Sequence, residues 1–343
     1  MPADLAEPPL QPLEAWLGAH VPGWRGPLKL ARLPGGQSNP TFLLESPSGR
    51  LVLRRKPPGP LLKSAHAVER EFRVQRALQG SGVPVARVLA LCEDEGVIGS
   101  AFYVMEHVEG RSFDDPRLPG LPRAARRAVF DEMNRVLATL HGLAPAALGL
   151  ADYGRPGNYF ARQLARWTEQ YRAAEMGAQP DMEVLITELA CRLPPDDGRS
   201  ALVHGDYRLD NLLFSGDGAI CRAVLDWELS TIGHPFADLA YVVMQWQMPP
   251  GSAGRGLAGV DRAAQGLPTD AAFVAAYCAR RGLTGIADFG FCLAFSFFRM
   301  AAILQGIAKR VADGTAADPA KGRSMAALLP LYAALGVQAL DHG

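Results

Sequence analysis

Two runs constrain this chain more than any other part of it: Leu202-Val203-His204-Gly205-Asp206-Tyr207-Arg208-Leu209-Asp210-Asn211-Leu212-Leu213-Phe214, then Val224-Leu225-Asp226-Trp227-Glu228. Asn211 follows Asp206 after four intervening residues, on a short loop between apolar, strand-like stretches, and Asp226 ends the next apolar run. Between them, Leu212-Leu213-Phe214, the turn Ser215-Gly216-Asp217-Gly218 and Ala223-Val224-Leu225 read as a β-hairpin. A hairpin returns its two ends to one place, so Asn211 and Asp226 should lie together at its open end. Three oxygen ligands at one cleft suit a divalent cation and a hydroxyl nucleophile. The competing reading is that Asp206 and Asn211 merely close turns, as these residue types often do.

Phosphoryl transfer demands a carboxylate to orient a hydroxyl, metal ligands, and positive charge over the nucleotide phosphates. Asp206 would accept the proton of the attacking hydroxyl, Asn211 would offer its amide oxygen to Mg²⁺, and Asp226 would bridge metal and phosphates. The spacing of Asp206 and Asn211 matches the kinase catalytic loop. With His204-Gly205-Asp206 in place of His-Arg-Asp, and Leu225-Asp226-Trp227-Glu228 in place of Asp-Phe-Gly, the chain resembles the aminoglycoside phosphotransferase and choline kinase family. Protein kinases are more distant relatives. The resemblance implies an α+β, two-lobed protein-kinase-like fold, with a small, mostly antiparallel β lobe and a larger, mainly helical lobe. It also implies ATP or GTP as phosphoryl donor, with Mg²⁺.

Three regions are expected: an N-terminal tail or helix over 1–24, a small nucleotide-binding lobe over 25–108, and a large catalytic and acceptor-binding lobe over 109–343. In the small lobe, Leu28-Lys29-Leu30, Thr41-Phe42-Leu43-Leu44 and Arg50-Leu51-Val52-Leu53-Arg54-Arg55 read as strands. A helix-like spacing through Val68, Phe72, Gln75 and Leu78 and strands near Val85–Leu91 and Ala101–Met105 follow. Gly35 and Gly36 sit where a glycine-rich loop would cover the phosphates, with Ser38 and Asn39 as added donors, although the full Gly-x-Gly-x-x-Gly pattern is absent. By resemblance, Arg54 takes the place of the phosphate-binding Lys and Glu71 that of its partner carboxylate; Lys56 is the rival cation. Phe102 to Gly110 resembles the strand-to-linker hinge, which gives Glu106 and Val108 the adenine-binding positions.

The remainder reads as helices: Arg123 to Leu140, Tyr159 to Met176, Asp181 to Leu193, Pro235 to Trp246, Thr269 to Arg281, Phe289 to Ala312 and Ser324 to Leu340. His204 and His234 are read as structural supports packed under the site, and Asp238 resembles the buried carboxylate that holds the catalytic loop by its backbone. Glu228 is either a further carboxylate at the metal or a helix-start residue.

The chain's 343 residues carry 35 basic and 35 acidic side chains, so the total charge points to neither nucleic acid nor a membrane surface. Five scattered cysteines form no Cys-x-x-Cys pair and read as thiols in a reducing compartment. No signal or transit pattern is evident, and a cytoplasmic location is expected. The apolar stretch Phe289 to Ala308 is interrupted by Ser296, Arg299 and Gln305, which favours a core helix over a membrane span.

From Gly251 onward there are nine Lys or Arg, six Asp and no Glu, a balance suited to an anionic or neutral acceptor better than to a polycation. Arg299, inside an apolar helix, needs a partner, either an internal acid or an anionic substrate group. Leu53 to Gly59, Arg162-Gln163-Leu164-Ala165-Arg166-Trp167 and Phe298 to Arg310 resemble one branch of the family, related to the phosphotransferase domain fused to some acyl-CoA dehydrogenases. That branch implies a small-molecule alcohol such as a 4-hydroxyacyl-CoA thioester, with a separate acyl-CoA dehydrogenase-like enzyme in the pathway. Arg162, Arg166, Trp167 and Arg299 are the acceptor-pocket candidates. Two other readings stand beside it: an antibiotic phosphotransferase of aminoglycoside or macrolide type, and a nucleotide-binding, pseudokinase-like module without turnover.

Overall fold

The computed structural model describes residues 7–33, 39–57, 66–251, 255–316 and 318–341. Gly35, Gly36 and Ser38 lie outside the described residues.

The N-terminal part is built on a five-stranded antiparallel sheet of order β1-β2-β3-β5-β4. Helix α1 (Leu10–His20) precedes β1 (Lys29–Arg32), β2 (Thr41–Ser46) and β3 (Gly49–Arg55); α2 (Val68–Leu78), β4 (Val88–Cys92) and β5 (Phe102–Glu106) follow. Alternation along the strands gives each face its own core. Phe42, Leu44, Leu53, Phe102 and Val104 pack with Leu13 and Leu17 of α1, while Val52, Tyr103 and Met105 pack with Val68 of α2. Each such fully buried leucine contributes about 1.5–3 kcal/mol. The same period of two puts Arg54 on the α2 side, one residue beyond Leu53 on the α1 side.

The larger lobe begins with three helices, α3 (Arg123–Gly142), α4 (Tyr159–Ala173) and α5 (Pro180–Cys191). Four short strands follow, β6 (Ala201–Val203), β7 (Leu212–Phe214), β8 (Cys221–Val224) and β9 (Thr231–Gly233), forming the antiparallel pairs β6–β9 and β7–β8. The chain ends in α6 (Pro235–Trp246), the single turn α7 (Arg262–Gln265), α8 (Asp270–Arg281), α9 (Phe289–Ala312), α10 (Pro319–Ala326) and α11 (Leu329–Leu340). The expected hairpin is present as β7–β8. Its partner ladder β6–β9 was not anticipated, because three residues such as Thr231-Ile232-Gly233 are too few to show alternation.

Helix α9 has the length and hydropathy of a membrane span, yet 67% of its most apolar window is buried, and α4, α5, α6, α10 and α11 pack around it. Its polar interruptions all have partners inside the protein. Ser296 Oγ donates to Cys292 O at 2.9 Å, Gln305 Nε2 to Ala174 O at 2.8 Å, and Arg299 Nη2 to Gly205 O at 3.0 Å. The expected single helix from Ser324 to Leu340 is instead two, α10 and α11, with Pro330 in the first turn of α11. Proline has no N–H to continue an upstream helix and is tolerated at a helix start.

Candidate active site

The loop after β6 is held from below by the first turn of α6. Pro235 opens that helix, and His234 caps it by accepting the Phe236 N–H on Nδ1 at 3.3 Å. One turn in, the Asp238 carboxylate is 2% exposed and accepts the backbone N–H groups of His204 at 2.6 Å and Gly205 at 2.9 Å. His141 Nε2 lies 3.3 Å from the same carboxylate. Burial alone would push the Asp238 pKa up; His141, His204 and the Gly205 N–H outweigh it and hold the carboxyl below its ordinary value.

His204 is fully buried and spans the two motifs: its Nδ1 accepts the Asp206 N–H at 3.3 Å, and its Nε2 donates to Leu225 O at 2.8 Å. The carbonyl partner assigns a proton to Nε2. Gly205 has φ +83°, and a Cβ there would fall 2.5 Å from Leu229 O. Gly205→Ala is therefore expected to cost about 1–3 kcal/mol, read as a lowered melting temperature, with the loop bearing Asp206 displaced.

The Asp206 side chain is half-buried and surrounded by donors. Asn211 Nδ2 donates to Oδ2 at 3.0 Å and to Asp206 O at 2.9 Å, Arg208 Nε donates to Oδ2 at 3.2 Å, and Tyr241 O–H donates to Oδ1 at 2.6 Å. Tyr241, on α6, had not been singled out from the sequence. Its signal was available in principle, since it follows Asp238 by three residues and so shares its helix face.

The hairpin brings the second motif to this loop. Leu225 N–H donates to Asn211 O at 2.8 Å, which places Asn211 beside the residue preceding Asp226. Asp226 itself is left-handed, φ 63° and ψ 63°, and turns its carboxylate to the small lobe. There Arg54 Nη2 lies 2.5 Å from Asp226 Oδ1 and 3.6 Å from Glu228, and Arg54 Nε lies 2.8 Å from Glu71 Oε2. Glu71 also accepts from Asn39 Nδ2 at 2.6 Å and from Tyr103 O–H at 3.3 Å. Burial opposes the Arg54 charge, but Glu71, Asp226 and Glu228 outweigh it and raise the guanidinium pKa, so Arg54 stays protonated. Lys56, the rival, pairs with Glu69 at 2.8 Å, outside this cluster. Glu106 ends β5, donates its N–H to Arg87 O at 2.9 Å and pairs with the Arg87 side chain; Val108 packs on the α2-side core.

Among the described residues no three His, Cys, Asp or Glu are grouped to hold a metal. The donor set here is one amide, Asn211, and one carboxylate, Asp226, with Glu228 adjacent. Asn211 commits its Nδ2 to Asp206, which leaves the amide oxygen as the ligand atom. Such a set fits Mg²⁺, which is commonly held by one or two carboxylates together with substrate phosphates and water.

Among the described residues Arg299 pairs with no internal acid; the carbonyl of Gly205 receives its Nη2 at 3.0 Å. Its guanidinium also lies 5.7 Å from the Trp167 ring centroid and 5.8 Å from that of Tyr241, and Arg166 lies 5.5 Å over Trp167. Arg299 and Trp167 thus adjoin the Asp206 loop. Arg162 is turned away to the backbone, donating to Arg155 O at 2.6 Å and Pro156 O at 3.3 Å. A cavity of about 600 Å³ lined by Tyr159, Phe160, Asp197, Arg199, His234 and Asp288, among others, contains none of Asp206, Asn211 or Asp226. Asp226 instead faces Arg54 of the small lobe.

A two-lobed kinase-like fold whose lobes meet at Arg54 and Asp226, beside the Asp206 loop, defines a phosphotransferase class. The chain belongs to the phosphotransferase enzyme family, whose family model matches residues 29–292. It is 47% identical over 307 residues to acyl-CoA dehydrogenase family member 10 of Mus musculus, covering 89% of this chain and 28% of that protein. The chain thus spans well under half of the curated relatives it matches. A Ralstonia eutropha crystal structure provisionally called an aminoglycoside phosphotransferase superposes with a TM-score of 0.90 at 47% identity, covering 98% of this chain and 99% of that one. The spectinomycin phosphotransferase solved with ADP and spectinomycin shares the fold, with a TM-score of 0.64 at 11% identity over 97% of this chain and 99% of its own.

Proposed function

We propose that this chain transfers the γ-phosphoryl group of ATP to the hydroxyl of a small-molecule alcohol. The observation that carries the reading is the meeting of Asp206, Asn211 and Asp226 at the open end of β7–β8, with Arg54 arriving from the small lobe. Asp206 orients the alcohol and takes its proton as oxygen attacks the γ-phosphorus and the bond to ADP breaks. Asn211 and Asp226 would hold Mg²⁺, which when bound would supply charge neutralisation at the phosphates. Arg54 sets a fixed positive charge at the phosphates, kept in place by Glu71. Gly35, Gly36 and Ser38 keep their sequence-based assignment to the phosphates, Glu106 and Val108 theirs to the adenine edge, while Asn39, fully buried and donating to Glu71 at 2.6 Å, braces the carboxylate that holds Arg54. His204 and Asp238 brace the loop. Unpaired cysteines accord with a reducing, cytoplasmic setting.

The acceptor class follows from charge and from the relatives. Arg166 and Arg299, lying against Trp167 beside the Asp206 loop, favour an anionic acceptor, and the acyl-CoA dehydrogenase relatives direct that choice to a hydroxyacyl-CoA. Names of structural neighbours favour a second reading, an aminoglycoside acceptor, which these cations oppose.

The test is a panel of 4-hydroxyacyl-CoAs, free hydroxy acids, choline and aminoglycosides, scored by ADP release. Hydroxyacyl-CoAs should give the highest kcat/KM, and Arg166→Gln should raise their KM about tenfold, a loss of roughly 1.4 kcal/mol, while sparing kcat. Preference for aminoglycosides would replace the acceptor assignment.

A further inference from the structure

Helix α6 supports the transfer twice. Its first turn fixes the backbone of the catalytic loop through Asp238, and one turn later Tyr241 reaches the side chain of Asp206. An ionised carboxylate offers about four acceptor positions, two on each oxygen. Asn211 Nδ2 and Arg208 Nε, at 3.0 and 3.2 Å, occupy Oδ2. On Oδ1, Tyr241 at 2.6 Å is the partner found among the described residues, so one acceptor position of Asp206 remains on that oxygen.

We propose that Tyr241 is a positioning residue for phosphoryl transfer: its O–H fixes the plane of the Asp206 carboxylate so that the second lone pair of Oδ1 receives the acceptor hydroxyl. This rests on the phosphotransfer reading given above. The terminal torsion of an aspartate is broad, so nothing in the side chain itself selects this plane. Asn211 and Arg208 both pull on Oδ2; without a donor at Oδ1 the carboxylate can rotate toward Arg208, which also engages Asp210 at 3.2 Å. Tyr241 is in turn held. It is 7% exposed, and the Arg299 guanidinium lies 5.8 Å from its ring while donating to Gly205 O. Burial, and then the neighbouring Asp206 charge, push the phenol pKa well above its ordinary value, so the hydroxyl remains a donor. Tyr241, Asp206, Gly205 and Arg299 therefore form a closed ring of contacts.

The experiment is a double-mutant cycle of Tyr241→Phe and Asp206→Ala, with kcat, the KM of each substrate, and melting temperature measured on the intact chain. Tyr241→Phe removes one oxygen and no volume of packing. It should lower kcat about 10- to 100-fold, since small misplacements of a reacting group cost on this scale, with both KM values changed less than about twofold. In the Asp206→Ala background the same substitution should have no further effect on kcat, because the group it positions is gone. A merely structural Tyr241 would lower the melting temperature and leave kcat within about twofold, or would depress kcat equally in both backgrounds; either result overturns the proposal. If the unmodified protein transfers phosphate to no alcohol, it is the phosphotransfer reading that fails, before Tyr241 is tested.

Discussion

Asp206→Ala is expected to lower the turnover of phosphoryl transfer by about 10²- to 10⁴-fold while nucleotide binding is retained. Among the described residues the side-chain donors found on the Asp206 carboxylate are Asn211, Arg208 and Tyr241, all on the large lobe. Removing it takes away the group that orients the hydroxyl, but leaves Asn211 tethered through Leu225 to the hairpin, and Arg54 on Asp226. Nucleotide affinity, measured by calorimetry, should therefore stay within a few-fold of the parent protein. Undiminished turnover would remove Asp206 from the base position.

The second large effect falls on Arg54. Arg54→Met should destabilise the protein by about 3–5 kcal/mol, the usual result of stripping one partner from a buried ion pair, and should also abolish tight nucleotide binding. Glu71 is 1% exposed and would be left with Asn39 and Tyr103 as donors but no counter-charge, while Asp226 would lose its 2.5 Å contact with Nη2. Arg54→Lys keeps the charge and loses the fork that spans Glu71 and Asp226 together, so an intermediate loss is expected. Lys56→Met is the control. Its partner Glu69 is 39% exposed at the side chain, and surface pairs of this kind contribute about 0–1 kcal/mol. Thermal melts of the three variants, with and without nucleotide, separate the two cations.

Much of this site can be read from local pattern, and the rest cannot, for one physical reason. The hairpin from Leu212 to Val224 is announced by apolar runs around a Ser-Gly-Asp-Gly turn, and it alone brings Asn211 to Asp226. Arg54 and Glu71 are placed by the family resemblance, and the structure pairs them at 2.8 Å. Contacts between elements far apart in the chain leave no such trace. Tyr241 lies 35 residues from the carboxylate it donates to, and Arg299, 94 residues from Gly205, meets a backbone carbonyl. A guanidinium in an apolar helix announces its need for a partner but not the partner's chemistry, since backbone oxygens satisfy it as well as carboxylates do. The packing of α1 on the sheet is similar: Leu13 and Leu17 are plain helix residues until Phe42 and Phe102 are placed opposite them. The glycines of the expected phosphate loop, Gly35 and Gly36, lie outside the described residues and keep the standing of a sequence expectation.

The central claim is most directly tested by incubating purified protein with ATP, Mg²⁺ and the alcohol panel, following ADP release together with phosphomonoester formation by phosphorus NMR, in parallel with Asp206→Ala. The expected result is a metal-dependent phosphomonoester on one acceptor class, lost in the variant although the nucleotide still binds. ATP binding with no phosphomonoester on any alcohol, or equal transfer by Asp206→Ala, would contradict it.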